Sequence, residues 1–380
     1  MTDVNSGPLA GIKVVHLAAW GPGPYATMLL ADLGCEVIVV DRRSPMITTV
    51  PASQDPRRRG QKSIALDLKN SEDLTTFNQL INQSDIFIEG MRPGAAERLG
   101  IGPEDLNAIN PGLIYARMTG WGQTGPLANT AGHDINYIAL SGVLETMGEP
   151  GKPPPLPLNL LGDYGGGGLF IMVGILSALF ERSTSGLGQV VDGAIVDGVA
   201  SLSAATLGMW GVGRWGERGT NTFDGSCPWY RVYETADGKY VAVGAIEEAF
   251  YQQLLQGLGM DPAQWQRNDA DIGPRLKAEL ERIFSTRTRD EWQQMFEHTD
   301  ACVTPVLSFE EALQHPHHQE RGTYISLRDI HQPAPGPRLS RTVLAAPSAP
   351  PEVGENSQQI MQQLELFCSG ASARKNSDGE

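Results

Sequence analysis

Cysteine is scarce and scattered in this 380-residue chain. Cys35, Cys227, Cys302 and Cys368 form no Cys-x-x-Cys pair, which argues against a disulfide framework or a cysteine zinc site and fits reduced thiols. Positive charge is also short, with 29 Lys and Arg against 44 Asp and Glu and a net charge of -15. A surface field of that sign argues against non-specific binding to nucleic acid or an anionic membrane, so a polyanionic ligand must find a local basic patch. Long hydrophobic runs are missing as well. The longest, Leu169–Phe180, is too short to cross a bilayer and is entered through four glycines, so a buried helix is expected and no membrane partner. The opening residues have neither a basic nor an apolar leader region, and Asp378-Gly379-Glu380 is not a peroxisomal tripeptide. A cytoplasmic placement is the simplest expectation.

What the chain has is an ordinary globular composition, 41% hydrophobic and 19% charged, with 44 glycines and 26 prolines scattered without period. Its length exceeds what one core usually fills. Short β-branched runs at Ile12–Leu17, Glu36–Val40, Ser63–Leu68, Ile86–Glu89 and Leu113–Met118 read as strands. Helical stretches at Tyr25–Leu33 and Leu74–Ile81 lie between them, the order of a parallel α/β sheet occupying about the first 120 residues. Helices follow at Asp134–Val143, Gly165–Glu181 and Ala194–Met209, the last after a strand-like Gln189–Asp192. From about Trp229 the pattern changes to a strand pair and three helices, a smaller α+β domain. The domain reading is residues 1–220 for a large domain with central helices and 221–325 for a small one. A proline-rich return segment, 326–368, is expected to pack on the large domain, and 369–380 to fray.

Several residues could carry chemistry. His133 precedes Asp134, and Asp163 precedes Tyr164 and the run Gly165–Gly168, so an imidazole and a carboxylate able to exchange protons stand near a glycine-rich helix start. Read singly, Asp134 is a good helix N-cap, Asp163 could cap the glycine-rich helix, and Glu247 could favour the start of the helix it opens. Gly21-Pro22-Gly23-Pro24 matches a dinucleotide fingerprint poorly, because prolines stand where a tight glycine turn is wanted. Asp41 could hold a ribose hydroxyl or serve the fold. The basic cluster Arg42, Arg43, Arg57, Arg58, Arg59 and Lys62, with Arg92 and Arg98, lies just after strand ends, where phosphate would bind. His315, His317 and His318 sit in a surface-like loop and read as structural.

Taken together, these stretches resemble a known family. Leu30-Ala31-Asp32-Leu33-Gly34, Gly122-Gln123-Thr124-Gly125, Gly132-His133-Asp134-Ile135-Asn136-Tyr137, Gly188–Asp192, Val243–Glu247 and Asp300–Leu307 are similar to the family III coenzyme A transferase superfamily, and within it to the α-methylacyl-CoA racemases, to about residue 350. The resemblance implies a Rossmann-like large domain, a smaller domain and a homodimer of interlocked chains. It implies an acyl-CoA thioester substrate, epimerised at the carbon beside the thioester carbonyl without metal or organic cofactor. His133 and Asp163 fall on the two acid/base positions and Glu247 on a further carboxylate beside the histidine. CoA contacts fall on Arg42, on Ala65, Leu66, Asp67 and Leu68, and on Gly132, Asp134, Ile135, Asn136 and Tyr137.

The chemistry needs a base near a weakly acidic α-proton and donors for the enolate oxygen, which the amides opening the Gly165–Glu181 helix could supply. The alternative within the superfamily is a CoA transferase with Asp163 as covalent nucleophile. The transferases typically lack a histidine at the position of His133. A CoA-binding protein without catalysis is the third reading. The chain departs from the racemases at Ser226-Cys227-Pro228 and at His16, where a glutamate is usual.

Overall fold

The computed structural model describes residues 6–44, 49–267 and 272–366. Cys368 and the tail expected to fray from 369 lie outside the described residues. Two compact units are present: residues 1–141, 157–203 and 322–380 form one, and 142–156 with 204–321 form the other. The stretch 204–220 thus groups with the second unit.

The first unit is built on β1 (Lys13–Leu17), α1 (Pro22–Asp32), β2 (Glu36–Asp41), β3 (Gln61–Ala65), α2 (Ser71–Asn82), β4 (Ile86–Glu89), α3 (Ala95–Arg98), α4 (Pro103–Ile109) and β5 (Ile114–Arg117). It continues through α5 (Asp134–Leu140), a π-helical stretch Leu160–Leu169 that runs into α6 (Phe170–Ser185), then β6 (Val190–Asp192) and α7 (Ile195–Leu202). Six parallel strands lie in the order β3-β2-β1-β4-β5-β6, so the chain reverses its direction of growth between β1 and β4. In such sheets ligands bind at the carboxyl ends of the strands flanking that reversal. The sixth strand comes from residues 190–192, so the sheet is not complete within the first 120 residues.

Side-chain alternation on the buried strands feeds two cores. Val15, Val40, Ile64, Phe87 and Tyr115 face α2 and α4 through Phe77, Ile81 and Leu106. Val14, Val37, Ile86, Ile88 and Ile114 face α1 and α6 through Ala26, Leu30, Ile171 and Ile175. Each fully buried Val, Ile or Phe contributes roughly 1.5–3 kcal/mol, which is why a parallel sheet needs helices on both faces.

Helix starts fall earlier than the apolar pattern suggests. α1 begins at Pro22 because proline is well suited to a first turn whose amides lack intrahelical partners. α2 begins at Ser71, where the Asn70 side chain accepts the amides of Glu72 at 2.9 Å and Asp73 at 3.2 Å. The largest difference is at the glycine run, which lies inside a helix rather than before one. The continuous helix Leu160–Ser185, 26 residues with hydropathy 1.5, is by length and composition long enough to cross a membrane, unlike the shorter segment Leu169–Phe180 read from the sequence. In this unit it connects β5 with β6 and gives Ile171, Met172, Ile175 and Ala178 to the core.

The second unit carries α8 (Ala204–Gly211), β7 (Tyr230–Glu234), β8 (Tyr240–Gly244), α9 (Glu248–Gly257), α10 (Ile272–Phe284), α11 (Arg289–Phe296), β9 (Val303–Pro305), α12 (Phe309–Gln314) and α13 (Pro316–Arg321). An antiparallel sheet β7-β8-β9 packs with α9, α10 and α11 around Tyr233, Val241, Tyr251, Leu280, Phe284 and Trp292. Ser203 separates α7 from α8, where one helix from Ala194 to Met209 is expected. His315, His317 and His318 lie at the junction of α12 and α13 and on α13 instead of in a loop, and no metal-holding cluster occurs among the described residues.

The closing segment returns to the first unit as β10 (Tyr324–Leu327), β11 (Ile330–Pro333) and a helix over 357–366. A buried arginine is one of its anchors. Arg59, 1% exposed, grips the Asp32 carboxylate of α1 at 2.5 and 3.0 Å and donates to the Gln332 side chain and the Pro333 carbonyl. Removing the carboxylate leaves a buried guanidinium without its counter-charge, a loss of about 3–5 kcal/mol. Asp32→Ala is therefore expected to lower the unfolding free energy in urea by about that amount; a loss under about 1 kcal/mol would contradict this role.

Candidate active site

The carboxyl ends of β1, β2, β4 and β5 open into a cavity of about 1390 Å³, lined by residues of the first unit, among them His133, Asp163, Tyr137, Arg42, Arg92 and Arg98. That exceeds the roughly 300–1,000 Å³ of common small-molecule pockets and suits a long ligand.

Asp163 reaches it through close backbone packing of the helix it stands on. A Cβ at Gly198 would lie 1.8 Å from the Gly166 carbonyl oxygen, one at Gly167 would lie 2.9 Å from Pro22, and one at Gly168 would lie 2.6 Å from Tyr25. The glycine run therefore lets α7 and α1 pack against the turn that carries Asp163. Its amides are inside a helix that starts at Leu160, so they are not the free donors expected for an enolate oxygen, and Asp163 is not that helix's N-cap. The carboxylate lies against the start of α1: a Cβ at Gly21, whose φ is 70°, would be 3.3 Å from its Oδ2. Burial pushes the Asp163 carboxyl above its ordinary range; a 3.2 Å hydrogen bond from Asn159 and the charges of His133 and Arg57 oppose this, while the Asp134 carboxylate adds to it.

His133 is exposed and is the N-cap of α5, the place the sequence suggests for Asp134. Its backbone N–H donates to Asn136 Oδ1 at 3.0 Å. The Asp134 carboxylate points elsewhere and accepts the backbone N–H of Asp163 at 2.7 Å. Tyr137 is buried, donates its hydroxyl to the Gly132 carbonyl and meets Trp121 edge to face at 4.8 Å. A Cβ at Gly120 would overlap its ring at 2.0 Å, so the glycines around this motif make room for the tyrosine. Ile135 and Asn136 are exposed on α5.

Most of the basic cluster is committed to the fold. Arg57 pairs with Asp55 and reaches the Tyr164 hydroxyl, Arg58 forks onto Asp41, Arg59 is buried on Asp32, Lys62 pairs with Glu36 and Arg43 with Asp73. Asp41 also accepts from the Ser63 hydroxyl at 2.6 Å, which makes it a structural anchor rather than a ribose ligand. Arg42, Arg92 and Arg98 are exposed, line the cavity and form no ion pair among the described residues, so they remain for a phosphorylated ligand. Leu66 is buried in the core beside α2. The Ala65 amide donates to Ser357 Oγ at 3.3 Å and the Asp67 amide to Asp73 at 2.7 Å, which places Ala65–Leu68 at the end of β3 beside the cavity-lining residues rather than among them.

Two cavity residues carry no motif. His16, on β1, is 2% exposed with neither ring nitrogen partnered; burial pushes its imidazole down to about 4, so it is neutral near pH 7. Glu89, at the end of β4, accepts the Met91 amide, and burial raises its carboxyl to about 7. Their place at strand ends beside the chain reversal was the available signal.

The chain matches the model of CoA-transferase family III over residues 9–357. It is 46% identical over 361 residues to the Mus musculus alpha-methylacyl-CoA racemase and 44% over 364 residues to that of Homo sapiens, covering 93% and 94% of this chain and 93% of each relative. Among solved structures, a CaiB/BaiF family protein from Brucella suis superposes with a TM-score of 0.81 at 26% identity, covering 94% of this chain and all of that one. The chain belongs to CoA-transferase family III.

In that family frame Glu247 belongs to the second unit. It is the exposed N-cap of α9, and Arg267 holds the residues on either side of it, donating to the Ile246 carbonyl and to Glu248 at 2.6 Å while stacked on Tyr251 at 4.7 Å.

Proposed function

We propose that this protein is an isomerase that interconverts the (R) and (S) epimers of 2-methylacyl-CoA thioesters. The observation that carries the reading is the pair of His133 and Asp163 on one cavity, an imidazole and a carboxyl that burial pushes above its ordinary range. The relatives named above carry the same activity in their names.

In one direction neutral His133 takes the α-proton of the thioester while the Asp163 carboxylic acid delivers a proton to the opposite face of the enolate. The reverse direction starts from protonated His133 and ionised Asp163. Both forms carry a single proton on the pair, so activity follows a bell-shaped pH profile whose limbs belong to the pair. Arg42, Arg92 and Arg98 hold the CoA phosphates. The chemistry needs no organic cofactor or metal.

We infer further that the protein is a homodimer. Ile135 and Leu140 on α5, Leu160, Leu169, Val173 and Phe180 on the long helix and Leu202 on α7 are 44–81% exposed, far more apolar surface than isolated side chains present. A second copy that interlocks with the first would cover it, and a cytoplasmic location is part of the same proposal. A family III transferase using Asp163 as nucleophile is the second reading; His133 argues against it.

Incubation of one epimer of a 2-methylacyl-CoA in deuterated water is expected to give loss of optical purity together with α-deuterium uptake. Acyl transfer to an added carboxylate, with a hydroxylamine-sensitive adduct on Asp163, would instead establish the transferase. For the dimer, sedimentation equilibrium is expected to return twice the chain mass, with Val173→Glu shifting it towards one chain; a monomeric wild type would sink the inference.

A further inference from the structure

Asp134 opens α5, yet its carboxylate does not serve that helix. The side chain is 7% exposed, Oδ2 accepts the Asp163 amide at 2.7 Å, and Oδ1 is buried with no hydrogen-bond partner. Room for the carboxylate is made by Gly162, where a Cβ would lie 2.4 Å from Oδ2. Burying a charged group with one oxygen unpaired costs free energy, and Asn would make the same bond to the amide without the charge. The side chain is thus committed to the Asp163 backbone rather than to its own helix.

We propose that Asp134 is a positioning residue of the proton relay, its buried side chain tying the His133 segment to the Asp163 backbone and setting a second carboxyl group beside that of Asp163. This rests on the two-base reading above. The groups facing Asp163 are few enough to name. From α5 come His133, Asp134 and the Tyr137 phenol; from the 55–58 segment comes Arg57; and Asn159 comes from the turn before its own helix. Burial does most to raise the Asp163 carboxyl; His133 and Arg57 favour the carboxylate, and the Asp134 charge adds to the effect of burial. The Asp163 carboxylic acid gives its proton to the enolate, the O–H bond breaking as the α-C–H bond forms. Asp163 is left ionised until it recovers a proton.

Asp134→Asn keeps the size and an acceptor oxygen and removes the charge; Asp134→Ser removes the charge with a different shape, should the first variant fail to fold. In the wild type and each variant, α-deuterium exchange and racemisation of a 2-methylacyl-CoA are followed from acid to alkaline pH. The acidic limb of kcat is expected to move to lower pH in both variants. At neutral pH kcat is expected to fall roughly tenfold, short of the hundredfold or more that goes with an acid/base group, with KM held within about twofold. Superimposable profiles for wild type and folded variants would overturn the role of Asp134 and leave the relay standing. Absence of α-exchange in the wild type would overturn the relay itself.

Discussion

Backbone-to-backbone contact at a run of glycines is the constraint on which the site depends. Gly166 and Gly198 touch so closely that no side chain fits between them, and Gly167 and Gly168 do the same for Pro22 and Tyr25 of α1. The π-helical turn that results presents Asp163 to the start of α1 and to Asp134 of α5. A carboxyl group is thereby half-buried, which does most to raise its proton affinity, beside a second carboxyl group that adds to the effect, while His133 stays accessible at the cavity. Proton chemistry at the site is a consequence of packing.

Charge is distributed to the same end. A chain of net charge -15 has little field for anions as a whole, and most of its clustered arginines neutralise carboxylates within the first unit: Asp32, Asp41, Asp55 and Asp73 each hold one. The ion pair of Arg59 and Asp32 joins the first helix to the returning segment. What is left, Arg42, Arg92 and Arg98 around one cavity, is a local basic region suited to phosphate within an acidic molecule.

The sheet and its layering were legible because buried parallel strands leave β-branched runs, and those runs at β1, β2, β4 and β5 correspond to the strands closely. Strands of three residues, β6 and β9, are too short to leave a period that decides their place in a sheet. His133 and Asp163 could be singled out because they stand in long motifs, and the fold brings both to one cavity. The function of the glycines could not, since a glycine run reads equally as an anion cradle or as a packing surface until its neighbours are known. Asp134 illustrates the same limit: as a residue type it reads as an N-cap, and only the fold shows its carboxylate bonded to an amide 29 residues away. His16 and Glu89 are buried, titratable and at the cavity; His16 stands out in the sequence only as a departure from the racemase pattern, and Glu89, a single residue on a strand, has no spacing to mark it.

The central claim is that two different groups act on opposite faces of one α-carbon. Its most direct test is α-deuterium exchange of each pure 2-methylacyl-CoA epimer by His133→Ala and by Asp163→Asn. Both variants should lose racemisation by at least about a hundredfold. Each should still exchange the α-proton of one epimer only, and the epimer should differ between the two. If one variant abolished exchange from both epimers while the other left both unchanged, a single base would serve both faces and the account would be contradicted.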